Sequence, residues 1–179
     1  AVNTVVNNEG MLKGYNTDMD GFLEPIKKRD IQIEGGKILL LGAGGAARAI
    51  VAGMAKEKAG NLDIANRTTL NANNLAEFAT KLGLKTNIKK IEEANNHIEN
   101  YDIIINSTSI GLKNEVSPIS FEEANQKTIV YDIVYAPMNT DFIKKAKERK
   151  LEVIYGYEML LGQATRAFEI WHEMKAPYN

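Results

Sequence analysis

The sequence predicts an α/β fold in which a parallel sheet carries helices on both of its faces. From residue 37 onward, short apolar runs alternate with amphipathic stretches, and a glycine-rich turn joins the first run to the stretch after it. Strands that alternate with helices form parallel βαβ units. The six apolar runs therefore favour a Rossmann-like, doubly wound sheet with strand order 3-2-1-4-5-6.

The first 34 residues predict a segment that precedes this sheet and connects to it. Residues 1–6 and 11–16 have strand-like composition, and the turn-forming sequence NNEG at 7–10 separates them. This pattern predicts a hairpin. The sequence at 17–30 then predicts a helix.

The helix predicted at 17–30 has a candidate cap residue and one internal proline. Either Thr17 or Asp18 would serve as its N-cap. Pro25 predicts a kink or a first-turn position, because proline cannot donate a helical hydrogen bond. The apolar face of this helix is formed by Phe22, Leu23 and Ile26.

The remaining elements follow in alternation along the chain. The predicted strands are residues 37–42, 61–66, 85–89, 101–107, 127–135 and 151–156. The predicted helices are residues 45–59, 69–83, 139–150 and 157–174. No clear periodicity is present at 90–100, so no element is predicted there.

Composition excludes several classes of protein. The formal net charge is -1, so no basic field indicates a nucleic-acid partner. The chain has no cysteine, which excludes disulfides, thiolate metal sites and a cysteine nucleophile. We expect a cytoplasmic protein with no membrane partner, because no apolar run approaches the roughly 20 residues of a membrane span. His97 and His172 lack the spacing of metal ligands.

The glycine-rich turn has the spacing of a dinucleotide-binding loop. Gly42, Gly44 and Ala47 follow the pattern G-x-G-x-x-G/A between a predicted strand and a predicted helix. Gly42 would allow the tight turn, Gly44 would let the backbone approach a pyrophosphate, and Ala47 would let the helix pack closely. Free N–H groups at the helix N-terminus would bind the phosphates. The alternative is a small-residue turn that binds no ligand.

The end of the second sheet strand favours NADP over NAD. Asn66, Arg67 and Thr68 stand where an NAD enzyme typically has a carboxylate for the ribose hydroxyls. Arg67 could pair with a 2′-phosphate and stack on adenine, while Asn66 and Thr68 could add hydrogen bonds. The alternative is an exposed arginine followed by a helix cap at Thr68 or Thr69.

Seven motifs extend the prediction from a cofactor to a family. They are AVNT (1–4), GYNTD (14–18), GAGGAAR (42–48), NRT (66–68), NSTSIG (106–111), YDIVY (131–135) and GYEMLLGQA (156–164). In order and spacing they resemble the shikimate dehydrogenase family across essentially the whole chain.

The resemblance implies an NADPH-dependent, reversible reduction of 3-dehydroshikimate to shikimate, a step towards chorismate and the aromatic amino acids. It also implies two domains, with the active site in the cleft between them. Residues 35–179 would be the NADP-binding domain, including the C-terminal helix. Residues 1–34 would be a strand, turn and linker helix that join the family's N-terminal substrate domain. We expect nearly all of that domain to lie outside this chain.

The resemblance assigns roles to individual residues. Asp18 matches the family's catalytic aspartate, which pairs with a lysine. The residues that match substrate-binding positions are Asn3, Asp18, Tyr135 and Gln163. The residues that match cofactor-binding positions are Gly42, Ala43, Gly44, Gly45, Ala46, Asn66, Arg67, Thr68, Ile133 and Gly156, of which Ile133 and Gly156 would line the nicotinamide.

Two departures from the family affect the expected activity. Asn71 stands where the family often has a lysine after NRT, which would lower phosphate affinity. No lysine of this chain stands in the motif of the proton-transfer lysine, which precedes AVNT in the family. We therefore expect the chain to bind NADPH without turning over shikimate.

Several alternatives stay open at this point. Asp18 could be only a helix cap, Asn3 only a strand-end turn former, Gln163 an ordinary helix residue and Tyr135 a core side chain. The protein could be a quinate/shikimate dehydrogenase that uses NAD, or a non-catalytic sensor module derived from the same fold. The sequence does not predict an oligomeric state.

Overall fold

A computed structural model describes residues 1–113 and 115–177. The chain begins with a two-stranded antiparallel hairpin, β1 (Thr4–Asn8) and β2 (Met11–Tyr15), as predicted. The helix α1 (Asp18–Lys28) follows and leads into the sheet. The strands of the sheet are β3 (Lys37–Leu41), β4 (Asn61–Ala65), β5 (Lys85–Lys89), β6 (Ile103–Asn106), β7 (Ile129–Asp132) and β8 (Glu152–Ile154). The helices that follow α1 are α2 (Gly45–Lys56), α3 (Thr69–Lys81), α4 (Ile91–Asn95), α5 (Asp141–Glu148) and α6 (Gly156–His172).

The sheet has the predicted topology. Its strand order is β5-β4-β3-β6-β7-β8, and every neighbouring pair is parallel. Counted within the sheet, this is the order 3-2-1-4-5-6. The connections that follow β3 and β6 therefore run towards opposite edges of the sheet. Folds of this type bind ligands at this point, outside the carboxyl ends of the strands.

The central strand β3 shows why apolar runs form this sheet. Ile38 and Leu40 belong to the apolar cluster on one face, and Leu39 and Leu41 belong to the cluster on the other. Successive side chains of a strand point to opposite faces, so a strand covered on both faces must be apolar throughout. Along the described residues, no helix is both long and apolar enough to cross a membrane.

Helices α1 and α6 cross in close contact at two glycines. A Cβ atom on Gly21 would lie 2.6 Å from the backbone of α6, and one on Gly162 would lie 2.9 Å from the Cα of Gly21. Pro25 lies in the interior of α1, so the first-turn alternative is wrong. Its missing N–H leaves the carbonyl of Gly21 without its helical donor, and Gly162 packs against that carbonyl.

The segment at 90–100 contains two elements that the sequence did not predict. The helix α4 and a 3₁₀ turn at Ile98–Asn100 occupy it. Both are a single turn or little more, too short to show a clear period in the sequence. Ala94 and Ile98 anchor them by packing into the core.

Candidate active site

A cleft of about 620 Å³ lies at the carboxyl ends of the central strands. It is lined by the glycine-rich turn after β3, the turn after β4, the start of α4 and the loop after β6. Its volume is in the range of small-molecule sites. The lining residues are Gly42, Ala43, Gly44, Ala65, Asn66, Arg67, Thr68, Asn71, Lys90, Ile91, Glu92, Ser107, Thr108, Ser109 and Ile110.

The glycine-rich turn fits a phosphate group. Gly42 has a φ of +101°, and a Cβ atom there would lie 2.8 Å from the Oγ of Ser107, so glycine is required on both counts. Gly44 is the N-cap of α2, and no side chain caps this helix. A Cβ atom on Gly44 or Gly45 would meet nothing within 4 Å. The first N–H groups of α2 are thus accessible to an anion.

Ala46 and Ala47 extend this turn into the first turn of α2. Ala46 is partly buried, while Ala47 is fully buried in the core against the sheet. The small side chain at Ala47 allows the close helix packing that the sequence predicts.

The turn after β4 presents the predicted polar residues to the cleft. The Nδ2 of Asn66 donates to the carbonyl of Thr68 at 2.8 Å, which holds the turn that carries Arg67. Thr68 is the N-cap residue of α3, but its side chain makes no capping hydrogen bond. The capping alternative required a hydrogen bond from the helix to this hydroxyl, and that bond is not made.

The opposite wall of the cleft is a hydroxyl-rich loop that the sequence analysis did not assign to the site. Ser107, Thr108 and Ser109 line it, and the Oγ of Ser107 donates to the carbonyl of Leu41 at 2.7 Å. The signal was present in the motif NSTSIG, because polar residues directly follow a buried strand at its carboxyl end.

A buried polar pair beneath this loop holds its shape. The Nδ2 of Asn106 donates to Asp132 at 2.9 Å, and the Oδ1 of Asn106 accepts from the hydroxyl of Thr108 at 2.6 Å. Asp132 also accepts from the hydroxyl of Thr140 at 2.5 Å and from the backbone N–H of Val134 at 3.0 Å. Burial raises the pKa of Asp132, and these three hydrogen bonds oppose that rise.

The two positions assigned to the nicotinamide lie together, at the ends of β7 and β8. A Cβ atom on Gly156 would lie 2.4 Å from the carbonyl oxygen of Ile133, so only glycine fits there. Neither residue lines the cleft described above. Their contact with a nicotinamide stays a prediction.

A polar cluster next to α1 joins three of the residues assigned to substrate. The Nδ2 of Asn3 donates to Asp18 at 2.8 Å and to the hydroxyl of Thr17 at 3.1 Å. That hydroxyl lies 3.3 Å from the Oε1 of Gln163, to which it donates. We call Asn3, Thr17, Asp18 and Gln163 the amide–carboxylate cluster.

Three remote parts of the chain build this cluster. The hairpin pairs Thr4 with Tyr15, which places Asn3 beside the start of α1. The glycine crossing of α1 and α6 then brings Gln163 to the same point. Thr17 is fully buried between the two amides, although the sequence indicated only a helix cap at this position. It is the N-cap residue of α1, yet its side chain makes no capping bond.

Tyr135 is not part of the cluster. Its side chain is 54% exposed, so the alternative of a core tyrosine is wrong at this position. Tyr131, four residues earlier, is buried instead, and it stacks on Phe22 with ring centroids 5.1 Å apart. A substrate contact of Tyr135 stays a prediction.

Comparisons with known proteins agree with this geometry. Residues 25–149 match the family described as Shikimate / quinate 5-dehydrogenase, and residues 156–179 match the one described as Shikimate 5'-dehydrogenase C-terminal domain. A shikimate dehydrogenase (NADP(+)) of Nitrosopumilus maritimus is 69% identical over all of this chain and 66% of its own length.

Solved structures give the same result. Shikimate 5-dehydrogenase from Listeria monocytogenes, in complex with shikimate and NAD, has a TM-score of 0.90 and 34% identity over 99% of this chain and 65% of that one. The enzyme from Thermus thermophilus, in complex with NADP(H) and shikimate, has a TM-score of 0.82 and 36% identity over 98% of this chain and 63% of that one. The chain thus spans just under two thirds of the length of these relatives. It belongs to the shikimate/quinate 5-dehydrogenase family, as the seven motifs predicted.

Proposed function

We propose that this chain is the cofactor-binding part of an NADP-dependent shikimate dehydrogenase, which reduces 3-dehydroshikimate reversibly to shikimate. The observation that carries the proposal is the cleft at the carboxyl edge of the sheet. One of its walls offers the uncapped N-terminus of α2, and another offers Arg67 with no carboxylate among the three residues 66–68. These groups suit a pyrophosphate and a 2′-phosphate respectively.

The chain's residues would divide into cofactor and substrate groups. The N–H groups at Gly44, Gly45 and Ala46 would bind the pyrophosphate, and Arg67 would bind the 2′-phosphate with Asn66 and Thr68 beside it. Bound NADPH supplies a hydride from its nicotinamide ring. The division of the chain at residues 34 and 35 belongs to this proposal. The last two residues of the second range, 178–179, lie outside the described residues.

The amide–carboxylate cluster would orient the substrate ring. Asp18 keeps one carboxylate oxygen free of the amide of Asn3 and could accept a substrate hydroxyl there. Gln163 and Tyr135 would hold other oxygens of the substrate. Among the ion pairs of the described residues, none includes Asp18. Among these residues, therefore, no lysine is paired with Asp18 as the family's proton-transfer lysine would be.

Fluorescence titration tests the cofactor half of the proposal. The 179-residue chain is titrated with NADPH and, separately, with NADH. We expect NADPH to bind at least tenfold more tightly, because the 2′-phosphate adds a charge-assisted contact worth about 1.5–3 kcal/mol. Equal affinities would favour the NAD-using alternative. If neither cofactor binds, the alternative of a non-catalytic sensor module that binds another ligand is favoured.

A steady-state assay tests the catalytic half. We expect no oxidation of shikimate by NADP above a blank for the 179 residues alone, because ketone reduction needs a positioned proton donor. Measurable turnover would show that a residue of this chain supplies the proton.

A further inference from the structure

We propose that Lys90 is a second cation for the 2′-phosphate and a determinant of the preference for NADP over NAD. The inference rests on the proposed function, because it assigns a residue to the same cleft. Lys90 directly follows β5 and lines the cleft together with Arg67 and Asn71. Its side chain is exposed to solvent.

The register of the sheet places Lys90 beside the turn that carries Arg67. Ala65 at the end of β4 pairs with Lys89 at the end of β5. Neighbouring strands lie about 4.8 Å apart, so the next residues along, Asn66 and Lys90, leave the sheet side by side. Arg67 follows immediately. Lys90 carries its ammonium on a flexible stem of four carbons, which suits it to reach a group bound by Arg67 in the same cleft.

The charge of the cleft supports this role. Of the residues that line it, Arg67 and Lys90 are basic and Glu92 is acidic. Without Lys90 the charges of this lining would sum to zero, which is unfavourable for a phosphate ester that carries a charge of about -1.5 to -2 at neutral pH. With Lys90 the sum is positive, and Asn71, which also lines the cleft, adds no charge.

The preceding residue, Lys89, differs from Lys90 in a way that makes it a matched control. The Nζ of Lys89 forms an ion pair with Glu93 one turn further along, and Lys89 does not line the cleft. No ion pair among the described residues includes Lys90. Two adjacent lysines thus have the same charge and similar sequence context, but only one faces the cleft.

The test compares dissociation constants for NADPH and NADH in four proteins: the unchanged chain, Lys90→Gln, Lys89→Gln and Lys90→Arg. We expect Lys90→Gln to weaken NADPH binding about fivefold and to leave NADH within a factor of two, since one exposed charge contact is lost. Lys89→Gln is expected to change neither constant, and Lys90→Arg is expected to restore NADPH binding. The salt dependence of NADPH binding should also be shallower in Lys90→Gln.

The outcomes separate this inference from the proposed function. A chain that binds NADPH no better than NADH contradicts the proposed cofactor before any variant is made. A clear preference for NADPH that Lys90→Gln leaves intact overturns the role of Lys90 while the proposed function stands. Equal weakening of both cofactors in Lys90→Gln also overturns it, because the residue would then act on the shared part of the ligand. Thermal unfolding shows whether each variant is folded. If Lys90→Gln is not folded, Lys90→Met is used in its place.

Discussion

The cleft at the carboxyl edge of the sheet and the amide–carboxylate cluster are built in different ways. The cleft lies where parallel strands end, and its glycine turn has open space above Gly44 and Gly45. The cluster is assembled by segments that are far apart in the chain, and its polar atoms bind one another. The first N–H groups of α2 in the cleft therefore have no side-chain partner, whereas the amides of the cluster already have partners and one oxygen of Asp18 stays free of Asn3. The glycine turn of the cleft depends on local geometry, but the cluster depends on the packing of α1 against α6.

The largest effect is expected from Gly21→Ala, which tests whether helix packing builds the cluster. The new methyl group would lie 2.6 Å from backbone atoms of α6, and the backbone cannot move aside without separating the helices. We expect a loss of about 3 kcal/mol in the free energy of unfolding, measured by urea denaturation with circular dichroism. The control is Gly45→Ala in the cleft, where nothing lies within 4 Å of the new atom, so stability should not fall. Similar losses of stability in both variants would contradict the view that helix packing matters for the cluster and not for the glycine turn of the cleft.

The next effect is expected from Arg67→Gln, which tests the cleft. We expect NADPH binding to weaken at least tenfold and NADH binding to change little, because an arginine–phosphate contact is among the stronger hydrogen-bonded pairs. Arg48→Gln is the matched control, since Arg48 packs over the ring of Phe78 at 4.5 Å and does not line the cleft. Isothermal titration calorimetry measures both constants. An equal effect of the two variants would mean that general charge, not position, governs binding.

A smaller effect is expected from Thr17→Val, which tests whether the two regions are independent. The change keeps the shape of the side chain but removes the hydroxyl that lies between Asn3 and Gln163. We expect a loss of about 1–2 kcal/mol in the free energy of unfolding, because the variant lacks the buried hydroxyl of Thr17 and its hydrogen bonds to Asn3 and Gln163. NADPH affinity should stay unchanged, as it should in the exposed control Thr69→Val. A change in NADPH affinity for Thr17→Val alone would show that the cluster and the cleft are coupled.

The smallest effect is a pH dependence that originates beneath the cleft. Burial raises the pKa of Asp132 above its ordinary value of 3.8, so the neutral carboxyl is favoured in the folded protein. Its contribution to stability is complete below that value and is lost as the pH rises through the raised pKa. In urea titrations, the free energy of unfolding of Asp132→Asn should therefore increase relative to that of the unchanged protein as the pH rises from acid towards neutrality.

Asp141 provides a control of opposite sign for this titration. The backbone N–H of Ser117 donates to its carboxylate at 2.7 Å, and this bond lowers the pKa of Asp141. Its contribution is present above the ordinary value and is lost as the pH falls through the lowered pKa. The free energy of unfolding of Asp141→Asn should thus decrease relative to that of the unchanged protein as the pH rises. The same trend in both variants would contradict the assignment of Asp132 as the source.

Much of the cleft could be predicted because its residues are close in sequence to the strands that position them. The spacing of Gly42, Gly44 and Ala47 and the polar turn at 66–68 are local signals. Ser107 to Ser109 were also visible as polar residues after a buried strand, but only the pairing of β3 with β6 brings Ser107 against Gly42. Lys90 lay in a segment without periodicity, and its position depends on the register between β4 and β5.

The sequence by itself determined the order of strands and helices, the parallel sheet and the glycine-rich turn, because these depend on periodicity and on glycine spacing over short distances. It could not determine how far α1 and α6 approach one another. That distance is decided by two glycines from opposite ends of the chain, Gly21 and Gly162, which meet only in the folded protein. Next to this crossing, Thr17 is buried and its hydroxyl links Asn3 to Gln163. A contact between distant residues has no local signature, since either glycine alone would be an ordinary small residue in a helix.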